Sequence, residues 1–350
     1  MPIVKTSSTR RRRRLVPALI AATALLAVAA GAGADNVNPI DTASTGPLTL
    51  AVIGDTPYGP AKLAEFPTLV DRINRDPAVQ RVVHLGDIKN GSSVCTDAYF
   101  ATIRGLVDTF QDPFLYTPGD NEWTDCHRSN NGAYLPTERL AAIRRTFYPV
   151  TGQSLGVTKK QVLSQAAEPG YETFVENTLW FESRVAFAEV NVPGSNNDLV
   201  PWTNVTPAQA ALQRPEYDAR LRADIAWLTK TFSLAIAQRA SGVVLMLQAD
   251  MWDPAEADLS GFTPLVQRIA GLAQAFGGPV LLLEGDSHVF LVDHPLTPGD
   301  PSYGRYPLGG LSAPNLTRII VQGSTNPTEY LRLTVDPATP QVFSWTRVPV

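Results

Sequence analysis

The chain has 350 residues, 44% of them hydrophobic and 18% charged, which describes a folded globule and excludes a disordered segment. That length is ample for one large domain or two small ones. Its 29 basic and 33 acidic side chains leave a net charge of −4, so the chain is a poor general binder of nucleic acid.

The basic residues are unevenly placed. Arg10–Arg14 forms a positive run, Leu15–Gly31 an apolar Ala-rich run, and Ala32-Gly33-Ala34 a small-residue site. This pattern predicts a secretory signal peptide over residues 1–34, cleaved after Ala34. Processing removes six positive residues, Lys5 and Arg10–Arg14, and no acids; 23 bases against 33 acids then give −10. The expected protein is secreted or periplasmic, with no stable membrane span after processing and no nucleic acid as a structural partner. Residues 35–47 read as a polar linker, and 48–350 as one domain.

Leu48–Ile53 reads as the first strand, followed by a helix over Ala61–Arg75 with Leu63, Phe66, Leu69, Val70 and Ile73 on one side. A strand at Arg81–Leu85, a helix at Thr96–Phe110 and a strand at Phe114–Tyr116 complete a β-α-β-α-β start, which predicts parallel neighbours. A helix is expected over Leu135–Phe147, then an insertion loop over 148–171, then strands at Leu179–Glu182 and Val185–Val192. Thr206–Arg239 reads as mostly helix, broken early by Pro215. The apolar run Gly242–Leu247, the helix Pro264–Phe276 and the strand Val280–Leu283 follow, with Phe290–Val292 beyond a turn. The tail alternates in short strands, at Arg318–Val321, Tyr330–Val335 and Gln341–Thr346.

Four apolar runs end in Gly-Asp: Gly54-Asp55, Gly86-Asp87, Gly119-Asp120 and Gly285-Asp286. Chance would give roughly one or two such pairs in the chain. A fifth, Gly299-Asp300, has no strand before it and serves as the control, a plain turn. Carboxylates at the carboxyl ends of neighbouring strands converge on the edge where α/β sheets bind ligands. Together they repel unless cations lie between them, which points to hard divalent metals. Cys95 and Cys126 follow two of these turns and, in an exported chain, predict a disulfide joining two loops at that edge.

The residues after each strand are mostly oxygen donors: Asp55 to Tyr58, Asp87 to Asn90, Asp120 to Glu122, Gln248 to Asp253, and Asp286 to His288. Their order and spacing resemble the calcineurin-like metallophosphoesterases, with blocks D-x-H, G-D, G-N-H-D/E, a lone His and G-H-x-H. The resemblance spans about Leu48 to His288. It implies an α/β fold, a two-sheet β-sandwich flanked by helices (αββα), and metal-assisted hydrolysis of a small phosphorylated substrate. By position it implies a metal set of Asp55, Tyr58, Asp87, Asp120, Gln248, Asp286 and His288 around two divalent ions, with Mn, Mg, Ca, Fe and Zn undistinguished.

The departures are chemical. Pro57 replaces the first block's His, leaving Tyr58 as a substitute oxygen; Asp120 stands at the Asn, Asn121 at the leaving-group His, Gln248 at the lone His and Asp286 at the first His of the last block. Four aspartates total −4 and offset two divalent cations, so a phosphate must find positive charge elsewhere. Lys89, His127 and Arg128 lie in the right loops, and Arg128 can bind phosphate in bidentate fashion. Asp87, Asn121 and Arg128 are thus the catalytic candidates. An amide at Asn121 does not titrate in this range, which predicts slow turnover or good leaving groups. Two other readings remain at this stage: a catalytically weak metal- or ligand-binding relative, and a Ca²⁺-stabilised binding domain. His84, inside a strand, reads as a core or sheet-edge histidine and His294 as exposed. Trp123 and Trp252 either wall the cleft or pack beneath it, and Asp250 and Asp253 are either extra ligands or surface caps.

Overall fold

A computed structural model of the chain describes residues 1–3, 38–326 and 328–350. The expected signal peptide lies outside the described residues apart from its first three. Of the expected linker, 38–47 is described, and Ile40 bridges Phe181 at its end.

The first sheet contains β1 (Leu48–Ile53), β2 (Arg81–His84) and β3 (Phe114–Tyr116). The second begins with β4 (Leu163–Ser164), β5 (Thr178–Glu182), β6 (Val185–Glu189) and β7 (Gly242–Met246), and continues with β8 (Val280–Glu284), β9 (Leu291–Asp293) and β10 (Leu316–Ile320). The chain then returns to the first sheet with β11 (Glu329–Val335) and β12 (Phe343–Pro349). The strand orders are β12-β11-β1-β2-β3 and β4-β5-β6-β7-β8-β10-β9. β1, β2 and β3 run parallel, as do β6, β7, β8 and β10; the antiparallel pairs lie toward the edges.

Alternation along the strands builds four layers. Leu50 and Val52 of β1, with Val83 and Leu85, face Trp180, Phe187, Val244, Met246, Leu281 and Leu283 of the other sheet. Ala51 and Ile53 face the opposite way, onto Phe66, Leu69 and Ile73 of the helix Gly59–Asn74 and Phe100 and Ile103 of the helix Asp97–Val107. The second sheet packs likewise on Trp227, Leu228 and Phe232 of Gln213–Ala237 and Leu265, Val266 and Ile269 of Thr263–Phe276. Strands buried on both faces favour apolar side chains on both, which is why β1, β7 and β8 read as near-continuous runs. Each fully buried Val, Leu or Phe contributes about 1.5–3 kcal/mol. This is the two-sheet, helix-flanked α/β architecture that the sequence implies.

Several local expectations need correction. The insertion loop is partly ordered into the sheets: β4 adds to β5, and Leu155 exchanges backbone hydrogen bonds with Phe114 on the free edge of β3. The long helix over Thr206–Arg239 is two, Pro207–Ala210 and Gln213–Ala237. Thr206 caps the first, with its hydroxyl accepting from Gln209 N–H, and Pro215 sits in the first turn of the second, where no N–H is needed. The expected hairpin forms, with its turn at Ser183-Arg184, both at positive φ as a two-residue turn requires, but its second strand ends at Glu189, short of Val192. The last strand starts and ends later than its apolar pattern suggests, at Phe343–Pro349.

Candidate metal centre

The carboxyl ends of β1, β2, β3, β7 and β8 open on one edge of the sandwich, and the turns that follow them line a cleft of about 550 Å³. Asp55, Asp87 and Asp286 lie just past their strands at φ of 51°, 58° and 70°, and His288 at 61°. Left-handed backbone is uncommon for non-glycine residues and clusters at functional sites. It turns each chain back so that the side chain lies over the strand ends. Gly86, at φ 86°, is required twice over: a Cβ there would lie 2.7 Å from the Gly119 nitrogen and 2.8 Å from Gln248 Cβ.

These turns bring together two groups of donors. Asp55, Asp87 and His288 each place one ligand atom within 4.8 Å of the others, and so do Asp87, Asp120 and Asp286; Asp87 is common to both. Asp55 accepts the Asp286 N–H at 3.0 and 3.1 Å, and His288 Nε2 is 3.5 Å from Asp55 Oδ1. Asp87 Oδ1 accepts the Asn121 N–H at 3.1 Å, while Asp87 Oδ2 accepts the Tyr58 hydroxyl at 2.8 Å and the Asn121 side-chain amide. Burial and the neighbouring negative charges, Asp120 foremost, push the Asp87 carboxyl well above its ordinary range. Burial raises Asp55 and Asp286 in the same way, and Tyr58 is raised by burial and by Asp87. Such a set stays ionised only with positive charge among it, and its oxygen-rich composition suits hard divalent cations.

Some assignments from the sequence change. Gln248 is fully buried below the cleft; its Oε1 accepts Gly194 N–H at 2.6 Å and Asp120 N–H at 3.3 Å, and its amide points to Asp120 Oδ1. With its carbonyl lone pairs taken by backbone donors, it supports Asp120 instead of facing a metal. The Tyr58 phenol, kept protonated, is directed to Asp87. Lys89 is buried and ties loops together through Asn90 O, Asn121 O and Asn131 Oδ1, so it is no anion receptor. Burial lowers its ammonium to about 8. His127 is hydrogen-bonded to Thr203, away from the cleft. His84 is a core histidine bonded to Thr56 O, with burial lowering it to about 4, and His294 is exposed. Trp123 and Trp252 pack beneath the site under the guanidinium groups of Arg220 and Arg318. Asp250 pairs with Arg318, while Asp253 remains at the cleft rim.

Arg128 does line the cleft. Its Nη1 is 2.6 Å from Asp125 Oδ2 and its side chain is 39% exposed, so the charge is oriented yet accessible. The disulfide Cys95–Cys126 joins the loops after β2 and β3, with Cα atoms 5.9 Å apart. Sequence reasoning missed the supporting residues. Glu122 Oε1 accepts Asp87 N–H at 3.1 Å, Gly119 N–H at 2.6 Å and the Tyr116 hydroxyl at 2.7 Å, clamping two Gly-Asp turns. Ser195 and Asp125 join the site from a loop and from the short turn after β3. The run Gly194-Ser195-Asn196-Asn197-Asp198, rich in residues that tolerate left-handed backbone, was the available signal for the former.

A two-sheet α/β sandwich carrying a carboxylate-rich centre at its strand ends defines a candidate metallohydrolase. Residues 48–218 match the family model of the calcineurin-like phosphoesterases. No curated protein matches the chain. Among solved structures it aligns with one described as "GAP50 the anchor in the inner membrane complex of Plasmodium", at 10% identity and a TM-score of 0.43, over 87% of this chain and 89% of that one.

Proposed function

We propose that the protein is an exported, metal-dependent phosphoester hydrolase with a dinuclear centre. The observation that carries this reading is Asp87, the one carboxylate common to both donor groups. Asp55, Asp87 and His288 would hold one divalent cation, and Asp87, Asp120 and Asp286 the other. When bound, such a pair supplies an activated water and neutralises charge during displacement at phosphorus.

The chain's own groups do the rest. Tyr58 and Asn121 fix both oxygens of Asp87 in place. Arg128, held by Asp125, presents its remaining donors to a phosphate oxygen at the cleft. Asn121 stands where a leaving-group acid is needed and has no proton to give at neutral pH, so activated esters are the better substrates. The leader pattern and the disulfide support export. Among the described residues, no helix is long and apolar enough to cross a membrane.

The test is hydrolysis of p-nitrophenyl phosphate and bis-p-nitrophenyl phosphate by protein stripped with chelator and reloaded with Mn²⁺, Mg²⁺, Ca²⁺ or Zn²⁺. Metal-dependent turnover lost in Asp87→Asn is expected. Two bound equivalents without turnover on either ester would instead establish the catalytically weak, metal-binding relative, which the amide at Asn121 favours.

A further inference from the structure

We propose that Ser195 Oγ is a metal donor of the Asp87–Asp120–Asp286 group, replacing the donor that Gln248 does not supply; this rests on the dinuclear reading above. Ser195 comes from no strand end. It opens a run in which Ser195, Asn196, Asn197 and Asp198 all have φ between 52° and 65°. Four consecutive left-handed non-glycine residues persist only where their surroundings hold them. Here the fully buried Arg220 donates to Asn197 O at 3.0 Å and also to Asn197 Oδ1, Asn196 Oδ1 accepts Gly261 N–H at 2.8 Å, and Trp202 Nε1 bonds Asp198 Oδ1 at 2.7 Å.

The run is pressed onto the carboxylates. At Gly194, an added Cβ would lie 2.7 Å from Asp120 Oδ2 and 2.8 Å from Asp286 Oδ2, so only glycine permits this approach. Ser195 Oγ is then 3.0 Å from Asp120 Oδ2 and 2.8 Å from Asp125 Oδ1. A hydroxyl has one proton and two lone pairs. In the metal-free protein it donates to both carboxylates; Asp125, paired with Arg128, is the nearer acceptor and keeps the proton when a cation occupies Asp120. One lone pair meets Arg128 Nη2 at 3.4 Å, and the other has no donor among the described residues. That free lone pair, held beside Asp120 Oδ2, is what a cation bound by Asp120 would reach.

The donor set is therefore all oxygen in this group, whereas the other group contains the imidazole of His288. A hard cation is expected in the first and a softer one is tolerated in the second.

Calorimetric titration of chelator-stripped protein with Mn²⁺ alone tests the assignment. Wild type should take two equivalents. Ser195→Gly keeps a residue at ease with positive φ and removes the hydroxyl, and Ser195→Ala serves as a second variant. Both should weaken one site by about tenfold or more and leave the other within about twofold; His288→Ala should weaken the other site instead. Unchanged melting of Ser195→Gly in chelator establishes that the loop is intact. Wild-type affinity at both sites in both serine variants overturns the Ser195 proposal alone. Failure of wild type to bind two equivalents overturns the dinuclear reading and this proposal with it.

Discussion

Replacing Glu122 tests whether the cleft is held from below. One oxygen of this buried carboxylate accepts three donors, Asp87 N–H, Gly119 N–H and the Tyr116 hydroxyl, while Oε2 has no partner. Glu122→Ala leaves all three donors in a dry environment. Each such orphan costs about 1–3 kcal/mol, part of which is offset because burial raises the Glu122 carboxyl and makes its charge expensive. The expected net loss is about 3–5 kcal/mol of unfolding free energy. Glu122→Gln keeps the accepting oxygen but puts an amide NH₂ where Oε2 had no partner, and should cost about 1–2 kcal/mol. Both changes loosen the turns that carry Asp87 and Asp120, so Mn²⁺ affinity should fall about 10–100-fold, as when outer support of a metal ligand is removed. Urea denaturation in chelator reads the first effect and Mn²⁺ titration the second. A Glu122→Ala protein within about 1 kcal/mol of wild type and with unchanged Mn²⁺ affinity would refute the clamp.

Three further outcomes follow from particular contacts. Arg128→Ala should raise KM for phosphate esters about tenfold with a smaller effect on kcat, and Arg128→Lys should recover only part of it, because a point charge lacks the bidentate fork; steady-state kinetics with p-nitrophenyl phosphate decides this. Burial raises Glu189 to about 8, above its unfolded value of about 4.3, so the folded state binds the proton more tightly and stability falls as pH rises between those values. Glu189→Gln should remove a slope of up to ~1.4 kcal/mol per pH unit and leave the variant the more stable protein at pH 9, read by denaturation across pH. Cys95→Ser with Cys126→Ser should cost about 3–4 kcal/mol, the value for a closed loop of about 30 residues, and reduction of wild type should lower its melting temperature to match.

The fold was legible because its central strands are buried on both faces. β1, β7 and β8 are buried on both faces, so they appear as mainly apolar runs, with Thr49 in β1 and Glu284 at the end of β8 as the polar exceptions. The convergence of Asp55, Asp87, Asp120 and Asp286 followed from that, since each aspartate is placed by its strand. What sequence reading could not give is where a side chain spends its lone pairs. Gln248 stands in a ligand's place in the order of blocks, yet its oxygen is taken by Gly194 and Asp120 N–H groups. Lys89 sits in a loop that looks solvated and is fully buried. Glu122 reads as one more acidic residue after Gly-Asp-Asn, and its role depends on amides from two separate strands. Ser195 depends on Arg220 and Gly261, residues distant in sequence that hold its loop in an otherwise unfavourable conformation.

Strain and charge fall in the same place, and each accounts for the other. Eight of the non-glycine residues at positive φ are Asp55, Asp87, Asp286, His288 and the run Ser195–Asp198, all at or beside the cleft. A relaxed loop would let mutually repelling carboxylates swing apart into water. The left-handed turns, the Glu122 clamp and the Cys95–Cys126 link prevent this, so repulsion is retained in the folded protein until a cation relieves it. A carboxylate at Asp286 strengthens that dependence, because neutral ligands can sit together without a metal and anionic ones repel. The arrangement suits hard cations, and Arg128, 39% exposed and held by Asp125, is the accessible positive charge at its edge.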